Sequence, residues 1–227
     1  MICIILPAYN EAPVIGQVLD GVKKEVKKEK LSAKVVVIDD GSIDQTGKIA
    51  QKKGVRVLRH VLNRGLGGAL GTGLAYAKKA GADIAATLDS DGQHDPADIK
   101  KVIKPILDGK ADVVIGTRWK SDKDKIPLDR KIITPLSNIL TFLLFGIPTS
   151  DSQSGFRAFS KKAINTITIR TQGMEVSSEL FGEIKKKKLK LTEVPIKVIY
   201  TSYSRKKGQT NLNSFQILLK LVLRLFR

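Results

Sequence analysis

Three carboxylates crowd into the stretch "LDSDGQHDP": Asp89, Asp91 and Asp95. The pattern Asp89-x-Asp91-x-Gln93 sets two acids and an amide at alternate positions, directly after the apolar run Ile84–Leu88. Hard oxygen donors so arranged suit Mg2+ or Mn2+, ions that also take phosphate oxygens and water. A divalent cation there would explain why a chain of net charge +18 gathers acids at one point. Zinc does not fit, because the chain has only two histidines and neither lies in a His/Cys cluster. His94 reads as a residue behind the metal or in the turn, not as a ligand. Two more acids, Asp39 and Asp40, end the run Val35–Ile38, and Glu11 lies just beyond Ile2–Leu6.

Elements that would position these groups alternate regularly. Apolar runs at Ile2–Leu6, Val35–Ile38, Val55–Leu58, Ile84–Leu88 and Val113–Ile115 read as short buried strands. Helical patterns at Ala12–Lys28, Asp44–Lys53, Leu66–Lys79 and Pro96–Leu107 separate them, with Pro105 expected to kink or shorten the last. Asn10 and Asp44 stand where N-caps are expected, and Pro96 at a first helical position after Asp95. The alternation predicts an α/β fold with a mostly parallel central sheet and helices on both faces. In such sheets ligands sit at the C-terminal strand ends. That rim gathers Pro7 to Glu11, Asp39 to Ser42, Asn63 to Gly65, Asp89 to Gln93, and Arg118.

Nucleotide motifs of other folds fail. Gly41 to Gly47 followed by Lys48 is one residue too long for a P-loop, and Ile49 stands where its Ser/Thr belongs. The glycines of "RGLGGALGTGLAYA" satisfy G-x-G-x-x-G at no offset; they read as helix-start and close-packing positions. What does match is an ordered set: "IILPAYNEAPVIGQVLD", "VVVIDDGSIDQT", "NRGLGGALGTGLAYA", "LDSDGQHDP" and "VVIGTR". It closely resembles the catalytic domain of family 2 glycosyltransferases, of the GT-A fold, over residues 1 to about 210. Within the family it looks most like polyprenyl-phosphate hexosyltransferases, the dolichol-phosphate mannose synthase group.

The resemblance implies a metal-dependent, inverting hexosyltransferase. It would carry mannose or glucose from GDP-mannose or UDP-glucose to a polyprenyl or dolichyl phosphate. By the same resemblance, Pro7, Tyr9, Glu11, Asp39, Asp40 and Gly41 line the nucleoside. Asp89, Asp91 and Gln93 hold the metal on the donor diphosphate; on charge, Arg205, Lys206 and Lys207 in "YSRKKGQTN" are candidates to close over it. Arg118, Arg130, Thr134, Gln153, Ser154 and Arg157 address the acceptor, with Arg118 and Arg130 on its phosphate. A catalytic domain at 1–211 is expected, with a nucleotide half (1–117) and an acceptor half (118–211), followed by an amphipathic helix at 212–227.

Charge and apolar patterning bear on the acceptor. Residues 1–100 hold 15 Lys/Arg against 12 Asp/Glu, and residues 101–227 hold 25 against 10, so the second half faces something anionic or is merely well solvated. Ile139–Ile147, bounded by Pro135 and Pro148, is too short to span a bilayer, which needs about 20 residues. With Arg130 and Lys131 before it, it reads as a helix lying at a membrane interface. "NLNSFQILLKLVLRLFR" carries a narrow polar stripe on a wide apolar face and reads the same way. A peripheral protein of the cytoplasmic leaflet is expected, since no signal-peptide pattern opens the chain; further anchoring helices past residue 227 in a longer natural chain fit the same picture. Cys3, inside an apolar run, is expected in the core.

Three rival readings stand against this one. A family 2 enzyme acting on a sugar hydroxyl needs a carboxylate base, and Asp151 stands roughly where one belongs. A phosphate monoester, already anionic near neutral pH, needs none. Nucleic-acid binding is disfavoured by an aromatic content of 5% and by the absence of any binding motif. A nucleotidyltransferase would want a Gly-rich basic loop where Pro7 to Glu11 stand.

Overall fold

The structure, a computed structural model, describes residues 1–120, 126, 128–200 and 203. In chain order the elements are β1 (Ile2–Ala8), α1 (Ile15–Lys28), β2 (Ala33–Asp39), α2 (Thr46–Lys52), β3 (Arg56–Arg59), α3 (Gly65–Lys79) and β4 (Ile84–Thr87). Then come α4 (Ile99–Leu107), β5 (Val113–Thr117), α5 (Leu128–Phe145), β6 (Arg157–Ser160), α6 (Lys161–Thr166), α7 (Val176–Lys186) and β7 (Leu191–Pro195). A short 3-10 turn, Pro96–Asp98, precedes α4, with the Asp95 carboxylate accepting from the Ala97 amide at 3.0 Å.

The strands form one seven-stranded sheet in the order β3-β2-β1-β4-β6-β5-β7. All pairings are parallel except those of β6, which runs antiparallel to β4 and β5. Successive residues of a strand face opposite sides, so β1 serves two cores. Ile4 and Leu6 pack with Leu19 and Val22 of α1 and with Ile99 and Ile103 of α4. Cys3 and Ile5 pack on the other side with Leu70 and Leu74 of α3 and Leu180 and Ile184 of α7. Both faces are covered, as the near-continuous apolar strands require. Cys3 is fully buried, and burial pushes its thiol up to about 11, so it is a core residue and not a reactive one.

The expected strands and helices fall where the pattern put them, with shifts of a few residues at their ends. Two local expectations are corrected. Asn10 does not cap α1, which starts at Ile15 after Val14 without a side-chain cap. Its backbone is left-handed, φ 54°, and its Oδ1 accepts from the Ile43 amide at 2.9 Å, joining the β1 and β2 loops. Pro105 neither breaks nor shortens α4, which runs to Leu107. The α5 segment also differs from the sequence reading: the helix starts at Leu128 and runs through Pro135. The carbonyl that Pro135 leaves without an intrahelical donor belongs to Lys131, which is exposed to solvent.

Helix α5 is inverted relative to an ordinary surface helix. Thr134, Ser137 and Thr141 are buried, whereas Ile132, Leu136, Ile139, Phe142 and Leu143 are exposed. Among the described residues no helix is long and apolar enough to cross a membrane.

Candidate active site

At the C-terminal end of β1, the Glu11 amide donates to Thr46 Oγ1 at 2.7 Å, and Glu11 Oε2 accepts from the Tyr203 hydroxyl at 2.9 Å. Desolvation and that bond raise the Tyr203 pKa, so the phenol stays a donor. The Pro7 carbonyl accepts from Ser90 Oγ at 2.6 Å, which ties the first rim loop to the acid-rich one. Tyr9 is exposed beside them.

The two acids after β2 behave differently. Asp39 is fully buried, with Oδ1 accepting from the Ser42 amide at 3.0 Å. Its Oδ2 makes no hydrogen bond; its nearest cation is Arg59 Nε at 3.6 Å. A buried carboxylate oxygen without a donor is costly. Asp40 is committed to the protein. Its carboxylate accepts from the amides of Arg64 at 2.9 Å and Gly65 at 2.7 Å and meets His60 Nδ1 at 2.6 Å. It therefore fixes the start of α3. Gly41, at φ 74°, lies against the Leu62–Asn63 backbone, where a Cβ would collide.

After β4 the chain turns tightly. Asp91 Oδ1 accepts from the Gln93 amide at 2.9 Å, and Gly92, at φ 80°, reverses the direction. The Asp89 amide donates to His94 Nδ1 at 3.1 Å, and His94 Nε2 lies 3.7 Å from Asp89 Oδ2. The imidazole packs on the Phe156 ring, centroids 5.1 Å apart, and burial pulls its pKa down to about 4. So His94 is neutral and stands behind the acids. Among the described residues no three His, Cys, Asp or Glu side chains converge into a metal cluster. Asp89, Asp91 and the Gln93 side chain are the oxygen donors at this strand end that would hold Mg2+ or Mn2+ together with phosphate oxygens. Desolvation raises the Asp89 pKa, and the cations Arg157 and Arg118 oppose it.

A second group of polar side chains begins where β5 ends. Arg118 grips Asp151 through Nε at 2.7 Å and Nη2 at 2.6 Å, and its amide donates to the same carboxylate at 3.1 Å. Asp151 is fully buried. Burial works against the Arg118 charge, and Asp151 more than offsets it, leaving the guanidinium above its ordinary pKa. The Arg118 Nη1 edge makes no hydrogen bond among the described residues. Arg157 is buried too, with Nη2 on the Ser152 carbonyl at 3.3 Å and Ser177 Oγ at 3.0 Å. Burial pulls its pKa down to about 10, and its Nε has no partner. Arg157 thus lies beneath the loop that carries Ser152. Ser154 and Thr134 are buried as well, and Gln153 Nε2 is a buried donor without a partner. Arg130 is half-buried on α5. Arg205, Lys206 and the segment 212–227 lie outside the described residues.

Sequence reasoning missed Asn138 and Glu193, which hold the loop bearing Asp151 (Thr149 Oγ1 donates to Glu193 Oε1 at 2.7 Å, Asn138 Nδ2 to the Ser150 carbonyl at 2.8 Å). Neither gives a local signal: each is one polar residue inside a strand or helix pattern.

Comparison with known proteins identifies the family. A family model described as glycosyl transferase family 2 matches residues 3–168. The chain is 38% identical to a UDP-N-acetylglucosamine–dolichyl-phosphate N-acetylglucosaminyltransferase of Methanococcus voltae, over 98% of this chain and 95% of that protein. It is 30% identical to a dolichol-phosphate mannosyltransferase of Pyrococcus furiosus, over 93% of this chain and 59% of that protein. Among solved structures it is similar to glucosyl-3-phosphoglycerate synthase from Mycobacterium tuberculosis in complex with Mn2+, uridine diphosphate and phosphoglyceric acid. The TM-score is 0.71 at 22% identity, covering 97% of this chain and 78% of that one, a likeness of fold.

Proposed function

From the premise that this chain belongs to glycosyltransferase family 2 and has the GT-A fold, we propose that it transfers a hexosyl unit from a nucleotide-diphospho-sugar to a polyprenyl phosphate. The relatives named for dolichyl-phosphate N-acetylglucosaminyl and mannosyl transfer support UDP-N-acetylglucosamine and GDP-mannose as the donors to try first. The former widens the choice beyond mannose and glucose. The observation that carries the acceptor assignment is the Arg118–Asp151 fork. A hydroxyl acceptor needs a carboxylate base, yet both oxygens of Asp151 are occupied by Arg118 and the residue is sealed from solvent. A phosphate acceptor needs no base, and the same fork presents a cation to it.

In this reading Asp39 Oδ2 accepts from the base, and Asp89, Asp91 and Gln93 hold Mg2+ or Mn2+ on the donor diphosphate. When bound, the cation stabilises the charge that develops on that leaving group. Arg118, with Arg130, orients the acceptor phosphate so that one of its oxygens attacks the anomeric carbon opposite the departing diphosphate. The new carbon–oxygen bond forms as the bond to the diphosphate breaks, inverting the anomeric centre. Arg205 and Lys206 are assigned to the departing diphosphate.

The inverted helix α5 supports docking at a membrane surface where a lipid acceptor is embedded. Its exposed Ile132, Leu136, Ile139 and Leu143 recur at helical spacing as one apolar stripe, with Arg130 and Lys131 at one end.

The test is kinetic. Arg118→Ala and Arg130→Ala should each raise KM for dolichyl phosphate by about tenfold or more, as loss of a charge-assisted bond implies, while donor KM stays near the parent value. Equal losses for donor and acceptor would sink the acceptor assignment.

A further inference from the structure

The loop Thr149–Ser152 has no regular structure, yet it is held on two sides by side chains from distant elements. From β7, the Glu193 carboxylate accepts from Thr149 Oγ1 at 2.7 Å, the Ser150 amide at 2.7 Å and Ser150 Oγ at 2.6 Å. From α5, Asn138 donates Nδ2 to the Ser150 carbonyl at 2.8 Å and accepts the Ser152 amide at Oδ1, 2.9 Å away. Asp151 sits between these anchored residues and carries the fork to Arg118.

A free arginine side chain samples many rotamers, and its planar fork recognises an oxyanion well only when held in one pose. Asp151 supplies that hold, but a residue on an irregular loop is only as fixed as the loop. Glu193 is in register with Ile115 of β5, the strand whose end leads into Arg118, so both ends of the fork hang from one pair of strands. Asn138 ties the other side of the loop to the helix whose opposite face is apolar and exposed.

We propose that Glu193 and Asn138 are positioning residues for the acceptor: through the loop Thr149–Ser152 they set Asp151, and through Asp151 they set Arg118 with its Nη1 edge open to an acceptor phosphate. This rests on the assignment of Arg118 to the acceptor phosphate, and the experiment separates the two. Steady-state kinetics are measured with detergent-solubilised dolichyl phosphate, Mn2+, and UDP-N-acetylglucosamine or GDP-mannose, whichever supports turnover. The variants are Glu193→Ala, Glu193→Gln and Asn138→Ala, with Arg118→Ala as reference and nucleotide diphosphate binding as the check that each is folded.

Glu193→Ala and Asn138→Ala are expected to raise KM for dolichyl phosphate by about tenfold and leave donor KM and nucleotide binding unchanged. Glu193→Gln retains an oxygen for Thr149 and the Ser150 amide and should recover most of the acceptor affinity. If Arg118→Ala raises the acceptor KM while the alanine variants at 193 and 138 do not, or lose donor and acceptor affinity alike, the positioning role is overturned. If Arg118→Ala leaves the acceptor KM unchanged, the assignment of Arg118 falls first.

Discussion

The amide of Asp89 donates to Nδ1 of His94 at 3.1 Å, which leaves the imidazole proton on Nε2, the nitrogen 3.7 Å from the Asp89 carboxylate. A backbone bond to the acid motif thus selects the histidine tautomer, and burial keeps the ring neutral.

Stability should therefore depend on pH. The folded-state pKa of His94 is about 4, below the ordinary 6.5. Between those values the unfolded chain takes up a proton that the folded chain does not. The stability this group contributes is complete above the ordinary value and is lost as pH falls towards 4. Asp89, whose pKa is raised, opposes part of the loss at the acid end. Urea unfolding of parent and His94→Gln across this window should show the parent losing up to about 1.4 kcal/mol per pH unit relative to the variant. Parallel curves would refute it.

Asp91→Asn keeps an oxygen for the Gln93 amide but removes the charge. The turn should survive, with Tm within a few degrees of the parent, while Mn2+-dependent donor binding and turnover disappear. Calorimetric titration of Mn2+ with the nucleotide checks the first, and undiminished activity in EDTA would contradict the assignment.

A Cβ on Gly155 would overlap Asp89 Oδ1, whereas one on Gly71 would meet Ile169 at an ordinary 3.6 Å. Gly155→Ala should displace the acid and cost on the order of 1–3 kcal/mol of stability, with a larger loss of activity than of fold. Gly71→Ala, in the interior of α3, should be neutral or stabilising by about 0.5–1 kcal/mol. Thermal melts and turnover measured together check both, and the reverse ranking would be fatal to the packing account.

Much of the architecture was legible because the apolar runs are short, continuous and separated by helical patterns, so strand ends and the loops after them could be read directly. Asp89, Asp91, Asp39 and Arg118 were placed on the rim by that route, each being a polar residue at the end of an apolar run, and the strand ends agree with that placement. What stayed hidden depends on pairing across the chain. The antiparallel insertion of β6 between β4 and β5 is carried by four residues, Arg157–Ser160, too few for a period to show. The cap on α3 is invisible for the same reason: the amides of Gly67 and Gly68 donate to the Gln172 carbonyl, a backbone group of the acceptor half. Asp40 was placed beside the nucleoside by its neighbour, but its three partners come from the loop after β3. In α5 the sequence located the apolar segment Ile139–Ile147, but only packing reveals that Thr134, Ser137 and Thr141 are buried while Ile132, Leu136, Ile139 and Leu143 are exposed.

Replacing Ile132, Leu136 and Ile139 with serine should leave the fold and nucleotide binding intact, since all three side chains are exposed. Flotation with liposomes containing anionic lipid should then fall several-fold, and that of the parent should weaken with salt. Unchanged flotation of the triple variant would remove α5 from the docking surface.

The central claim is that the acceptor is a lipid phosphate, and the most direct measurement is identification of the product. Protein, Mn2+ and radiolabelled UDP-N-acetylglucosamine or GDP-mannose are incubated with dolichyl phosphate or, in parallel, with dolichol lacking the phosphate. Label is expected to enter the organic phase only with dolichyl phosphate and to be released as free sugar by mild acid, as a glycosyl phosphate would be. Label transferred equally to dolichol, or only to a soluble sugar hydroxyl, would contradict it.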